Sequence, residues 1–106
     1  MAIEDGAALA ECLARASSTR DISLVTHAFE MIRKPRCERI QLVSRDNGQV
    51  WHLPDGPEQE QRDEGMKVTV ITPQDARENP NQWSDGEFGP WLLGHDVFSY
   101  VRLDYF

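Results

Sequence analysis

Only two cysteines occur among the 106 residues, Cys12 and Cys37, with no Cys-x-x-Cys pair. That rules out a disulfide-built scaffold and a thiolate zinc site. Reduced thiols are the expectation, and a single Cys12–Cys37 bridge is the alternative. Basic residues are also scarce, 11 Lys and Arg against 18 Asp and Glu, for a net charge of −7. No uniform basic surface can then replace phosphate counterions, so nucleic acid is not an expected partner. No apolar run approaches the roughly 20 residues that cross a bilayer. No basic segment followed by an apolar one opens the chain as a signal peptide would. The expectation is a cytoplasmic protein with no membrane contact. The three histidines, His27, His52 and His95, are scattered; no two-His-one-carboxylate or three-His spacing is present, and no metal is expected. A Gly-x-Gly-x-x-Gly turn between strand and helix is missing as well, which leaves no Rossmann unit for a dinucleotide.

What is there reads as mostly α-helical, a single small domain over residues 1–106. A helix from about Ala2 to Ala16 carries Ile3, Ala7, Ala10 and Ala14 along one stripe, with Leu9 and Leu13 beside it. Small residues dominate the stripe, so it suits close packing. Gly6 costs about 1 kcal/mol against alanine in a helix interior, a cost that close contact with a neighbouring strand or ligand would offset. A helix that begins at Met1 has no capping side chain ahead of it, which leads us to expect the tail of something longer. Ser17 to Arg20 form a turn, and Asp21 is the expected N-cap of a second helix. There Ile22, Val25, Phe29, Ile32, Ile40 and Val43 follow a helical period, broken only where Arg36 occupies an apolar position. Pro35 should kink or interrupt that helix, giving pieces near 21–34 and 35–45. The short connection predicts an antiparallel helix pair. Beyond the Asp46–Gly48 turn, Pro54–Pro57 is a firm break, and residues 58–66 form a short acidic helix with Pro57 in its first turn. Met66 to Ile71 is β-branched and could be a strand, although we assign helix running into loop. Residues 72–90 read as a long irregular loop, and a last short helix starts near His95.

Charge is segregated. Arg33, Lys34, Arg36, Arg39 and Arg45 face only Glu38 within residues 33–45, whereas residues 57–87 hold eight acids against Arg62, Lys67 and Arg77. The two stretches could complement each other inside the fold or dock on partners of opposite sign. Arg33 and Arg36 flank Pro35, and two guanidiniums there can fork to carboxylates, either within the acidic stretch or on a further domain. His52, Asp55 and Glu58 could be drawn as a metal trio, but Pro54 and Pro57 break the helix that would gather them. A turn packing His52 and Trp51 on the helix pair is the plainer reading. His95 and Asp96 are adjacent, so on a helix they diverge by about 100°; Asp96 then serves the first turn of the final helix. His27 is expected to be partly buried beside the apolar stripe. Neither cysteine has a base near it in sequence, so no thiolate nucleophile is read.

Several runs, in order, carry a resemblance. Met1-Ala2-Ile3-Glu4-Asp5, with Ala7 and Leu9 following, comes first. Phe29-Glu30-Met31-Ile32-Arg33-Lys34-Pro35-Arg36 comes next. His52-Leu53-Pro54-Asp55-Gly56-Pro57-Glu58-Gln59-Glu60, Asn79-Pro80-Asn81-Gln82-Trp83 and Trp91-Leu92-Leu93-Gly94-His95-Asp96 complete the set. In these runs the chain resembles the C-terminal segment of FAD-dependent aromatic hydroxylases, the class A flavoprotein monooxygenases, and within them the salicylate-hydroxylase-like branch of fungi. The resemblance implies that a complete enzyme uses FAD, NAD(P)H and dioxygen to hydroxylate an aromatic ring. It places the backbone of Met1 and Ala2 nearest the N1/C2=O edge of the flavin and makes Asp5, Arg33, Pro35, Arg36 and His52 structural motif residues. It names no catalytic residue here, because the family's ring-contacting residues lie upstream. Without a Rossmann unit, FAD is not expected on this chain alone, and the segment by itself should be silent, so whether it acts as an enzyme stays open. The alternative reading is a stand-alone helical module that meets a protein partner or a second copy through the face of the first helix. A third is a new acid–base activity using His52 or His95.

Overall fold

The computed structural model describes residues 1–104, with side chains through Arg102. Its elements are α1 (Ala2–Leu13), a 3-10 turn (Thr19–Asp21), α2 (Ile22–Trp51), α3 (Pro57–Met66), α4 (Pro73–Glu78), a second 3-10 turn (Gln82–Ser84), α5 (Phe88–Leu93) and α6 (Val97–Asp104). No strand is present among the described residues. Two compact units divide the chain. One comprises Met1–Leu42 with the chain from Asp96 onward, the other Val43–His95.

In the first unit α1 and α2 are antiparallel. Contacts link Glu4 and Asp5, at the start of α1, to Arg33 and Arg36 in the middle of α2. The corner between them is locked by Asp21. Its carboxylate accepts from the N–H groups of Ser17 and Ser18 at 2.8 and 3.0 Å, while the Ser18 hydroxyl accepts from Arg20 N at 3.2 Å. Asp21 is therefore the reaching-back residue of a capping box, and Ser18, not Asp21, is the N-cap.

The buried face of α1 is not the expected stripe. Ala8 and Cys12 are fully buried, and with Val25, Ile32, Val97 and Val101 they form the core, against which Ala7, Ala16 and Phe29 pack. Ile3, Ala10, Leu13 and Ala14 are exposed. The cause lies in the charges. Glu4 and Asp5 reach the arginines of α2, and a helix held there turns positions 4, 8 and 12 inward, one per turn. α6 closes the unit by supplying Val97 and Val101. Asp96 is its N-cap, accepting from Phe98 N, Ser99 N and the Ser99 hydroxyl at 3.0, 3.2 and 2.8 Å; these bonds hold the Asp96 carboxyl below its usual pKa. Arg102 reaches back to Glu11 at 2.9 Å.

α2 departs from the sequence reading too. It runs unbroken for 30 residues, with Pro35 inside it. Pro35 is exposed, whereas Ile32, Arg33 and Arg36 around it are buried. The lost N–H thus falls on the solvent side, where water reaches the backbone, and the buried neighbours hold the helix continuous past it. His27, expected to be partly buried, is exposed.

In the second unit, the stretch expected to be an irregular loop is organised by side-chain caps. Thr72 and Asp75 form a reciprocal box at the start of α4, Asn81 caps the 3-10 turn, accepting from Trp83 N at 3.2 Å, and Asp85 accepts from Glu87 N at 2.8 Å ahead of α5. Phe88 is buried, with the rings of Trp83 and Trp91 about it at 6.1 and 6.0 Å. Pro57 opens α3 as expected, and Arg62 from α3 donates to Val50 O at 2.7 Å, with its guanidinium 6.0 Å from the Trp51 ring.

An exposed proline in an intact helix and a core isoleucine should respond in opposite directions. Pro35→Ala is expected to raise the unfolding free energy by about 1–3 kcal/mol, because the helix regains a bond and loses a clash. Ile32→Ala is expected to lower it by about 2–5 kcal/mol. Urea unfolding followed by circular dichroism measures both.

Candidate functional site

Arg33 and Arg36 are buried, at 3% and 7% exposure, which is unusual for a residue that cannot shed its charge. They are held one turn apart on α2, on the same face, because the helix continues through Pro35. Opposite them stand Glu4 and Asp5 in the first turn of α1. Glu4 takes the central place. Arg36 grips it side-on with two bonds, Nε to Oε2 at 2.8 Å and Nη2 to Oε1 at 3.0 Å, and Arg33 Nη2 adds a third at 2.9 Å. Arg33 Nε donates to Asp5 Oδ1 at 2.7 Å, and the Cys37 thiol lies 3.8 Å from that same oxygen. Arg33 Nη1 is buried and has no hydrogen-bond partner among the described residues.

Among the described residues, two cations face two anions in this knot. The Arg36 hydrogen bonds are the main reason the Glu4 carboxyl falls from 4.5 to about 2; partial burial opposes the shift, and Arg33 adds to it. Burial works against the charge on Arg33 in turn, yet Asp5 and Glu4 outweigh it and raise its pKa. The arrangement suits charge-assisted holding of two helices.

The structure thus brings together Asp5, Arg33 and Arg36, and sets Pro35 on the outer side of the same turns. The carboxylates that bond these arginines at Glu4 and Asp5 lie in α1. Glu4 was missed by sequence reasoning. The spacing Glu4, Ala8, Cys12 puts a carboxylate on the buried line of α1, a line that shows only once the rotation of the helix is known. His52, in the second unit, is exposed just past the end of α2, with Nδ1 2.7 Å from Gly48 O. Trp51 is exposed as well, so neither packs as expected. Asp55 and Glu58 are exposed, and among the described residues no group of three His, Cys, Asp or Glu is placed to hold a metal. Both thiols are free; Cys12 is buried in the core, which pushes its pKa up. An open cleft of about 440 Å³ in the second unit, lined among others by Ile71, Ala76, Arg77 and Glu87, gathers none of the sequence-predicted residues.

Met1 and Ala2 are the N-cap and first residue of α1, and no side chain caps that end. Its first-turn N–H groups are therefore left without a side-chain acceptor. With no strand among the described residues, nothing described fits the adenosine and pyrophosphate. No helix is long and apolar enough to cross a membrane among the described residues.

The chain is 36% identical over 98 residues to the FAD-dependent monooxygenase OpS4 of Beauveria bassiana, a match covering 92% of this chain and 22% of that protein. It is 40% identical over 65 residues to 3-amino-4-hydroxybenzoate 2-monooxygenase PtmB3 of Streptomyces platensis, covering 61% of this chain and 16% of the relative. It is 33% identical over 75 residues to the FAD-dependent monooxygenase atnJ of an Arthrinium species, covering 71% and 18%. No family model matches the chain, and no solved structure matches it. The chain thus resembles a segment of FAD-dependent monooxygenases and spans about a fifth of their length.

The Glu4 knot fixes an acid limit to stability. Glu4 in the folded chain stays ionised well below its ordinary value, so its contribution is complete above about pH 4.5 and is lost as pH falls toward 2. The shift corresponds to on the order of 3 kcal/mol. Glu4→Gln is expected to lower stability at neutral pH by about that amount and to flatten the decline between those two pH values. Thermal unfolding across that range, variant against parent, reads it.

Proposed function

We propose that this chain acts as the C-terminal, flavin-edge part of an FAD-dependent monooxygenase that hydroxylates an aromatic substrate with NAD(P)H and dioxygen. The observation that carries the reading is the Glu4–Asp5–Arg33–Arg36 knot. The first and second runs of the resemblance, distant in sequence, meet there and hold the uncapped N-terminus of α1 in place. The names and identities of the relatives support the cofactor and the general reaction. FAD, when bound, supplies the redox chemistry. The residues of this chain would do two things toward it. Backbone N–H groups at Ala2 and its neighbours would point their positive end of the helix at one ring edge, and the knot would keep that end from shifting.

The face of α1 turned away from the knot supports a dependent role. Ile3 is 89% exposed, and Gly6, Ala10 and Leu13 lie exposed along the same side. A Cβ placed on Gly6 would meet nothing within 4 Å. The helix therefore carries a glycine that its own fold does not need, at about 1 kcal/mol against alanine. A surface that approaches closely from outside would account for it, and in this proposal that surface is the FAD-binding part of the enzyme. The same open face also favours a second reading, a helical module that self-associates.

Replacing the matching segment of the Beauveria relative with this chain tests the proposal. A chimera that retains FAD and consumes NAD(P)H with substrate is expected, and Gly6→Leu within it should release the flavin. A well-folded chimera without FAD would overturn the reading. The isolated chain, mixed with FAD and passed through gel filtration, is expected to elute without flavin absorbance. A mass that doubles with concentration in sedimentation, abolished by Gly6→Leu, would instead favour the self-associating module.

A further inference from the structure

Four junctions put glycine directly after an aspartate or asparagine: Asp5–Gly6, Asn47–Gly48, Asp55–Gly56 and Asp85–Gly86. At such a junction the glycine nitrogen can attack the preceding side-chain carbonyl carbon, since no Cβ obstructs the approach. Attack requires a side chain that is not held, a glycine N–H outside the hydrogen-bond ladder, and room for the backbone to turn. The fold distributes these conditions unequally. Asp5 is bound to Arg33, and Gly6 lies inside α1. Asn47 accepts from Trp51 Nε1 at 2.8 Å, and Gly48 lies inside α2. Asp85 accepts from Glu87 N and Phe88 N at 2.8 and 3.4 Å.

Asp55 differs from all three. It is exposed in the turn ahead of α3. Neither its carboxyl group nor the Gly56 N–H makes a hydrogen bond among the described residues. Gly56 has φ +152° and nothing within 4 Å of where a Cβ would stand. We infer that Asp55–Gly56 is the site at which the folded chain forms isoaspartate. A bond forms between Gly56 N and Asp55 Cγ, and the carboxyl hydroxyl leaves as water with the Gly56 N–H proton. Water then opens the succinimide. Attack at the former main-chain carbonyl leaves Gly56 linked through Cγ and frees a main-chain carboxylate; attack at the other carbonyl restores aspartate. The isoaspartyl product carries the same charge and one extra backbone carbon. It sits directly before the α3 N-cap, Gly56, whose carbonyl accepts from Glu60 N at 3.0 Å. The freed carboxylate is the substrate class of isoaspartyl carboxyl methyltransferases.

The test is incubation of the full chain in warm, mildly acidic buffer. Peptide mapping with electron-driven fragmentation locates isoaspartate, and methyl uptake with an isoaspartyl methyltransferase counts it. In the folded chain most isoaspartate should lie at position 55. It should be lost in Asp55→Glu, where the ring would be six-membered, and kept in Asn47→Gln. In urea at neutral pH the site should move to Asn47–Gly48, the faster junction under those conditions once its helix is gone. Isoaspartate appearing first at 5, 47 or 85 in the folded chain, or surviving Asp55→Glu, would overturn the inference.

Discussion

The grip of Arg36 and Arg33 on Glu4 is the constraint from which the first unit follows. It fixes where α1 crosses α2 and which face α1 turns inward, and so places Ala8 and Cys12 on the core line with Val25 and Ile32. Most buried ion pairs are poor sources of net stability, because desolvation consumes the attraction. This one is buried mainly on the arginine side, with Glu4 and Asp5 still touching water at 27% and 37% side-chain exposure. The carboxylates keep part of their hydration while the guanidiniums find fork-shaped acceptors. What the knot supplies is therefore register more than raw stability. An alanine-rich helix could slide or rotate against its neighbour with little penalty, and paired charges at two successive positions prevent both.

The same knot explains why Pro35 does not break α2. A proline interrupts a helix when nothing outside holds the turn before and after it. Here Ile32 and Arg33 on one side, and Arg36 on the other, are each anchored against α1 or in the core. The tertiary contacts outweigh a local penalty of about 3 kcal/mol. Arg36 also shows how a charged residue can stand in an apolar stripe. Its position is an ordinary core position, and its head group leaves the core line to meet Glu4.

These points mark what was legible in the residues and what was not. The helix pair, its antiparallel sense, the opening of α3 at Pro57 and the lack of a Rossmann unit could be read from period, turn chemistry and missing glycines. The rotation of α1 could not, because alanines surround the helix and hydrophobic period carries little information when small residues lie on every side. The order within residues 72–90 was hidden for another reason. Helices of six residues are too short to show a period, and the stretch rests on a cap at Thr72, a turn cap at Asn81 and the Asp85 carboxylate ahead of α5, which look like ordinary loop residues. In the candidate site, Asp5, Arg33 and Arg36 were marked by motif, whereas Glu4 could be found only by asking which carboxylate shares a line with Ala8 and Cys12.

α1 is thus a helix whose two faces have different duties. Its charged and inward face is fully engaged, with Glu4, Asp5 and Glu11 each bonded to arginine. Its other face offers Ile3, Gly6 and Ala10 to solvent, and the helix end at Met1 keeps donors that no side chain caps. Rigidity on one side and openness on the other favour association, since a surface held in place beforehand loses little conformational entropy on docking. Were the knot absent, the open face would have to be ordered at the moment of contact. In the proposed enzyme the ion pairs and the small-residue face are thus two parts of one device: the first holds α1 still, and the second lets a neighbour come close to it.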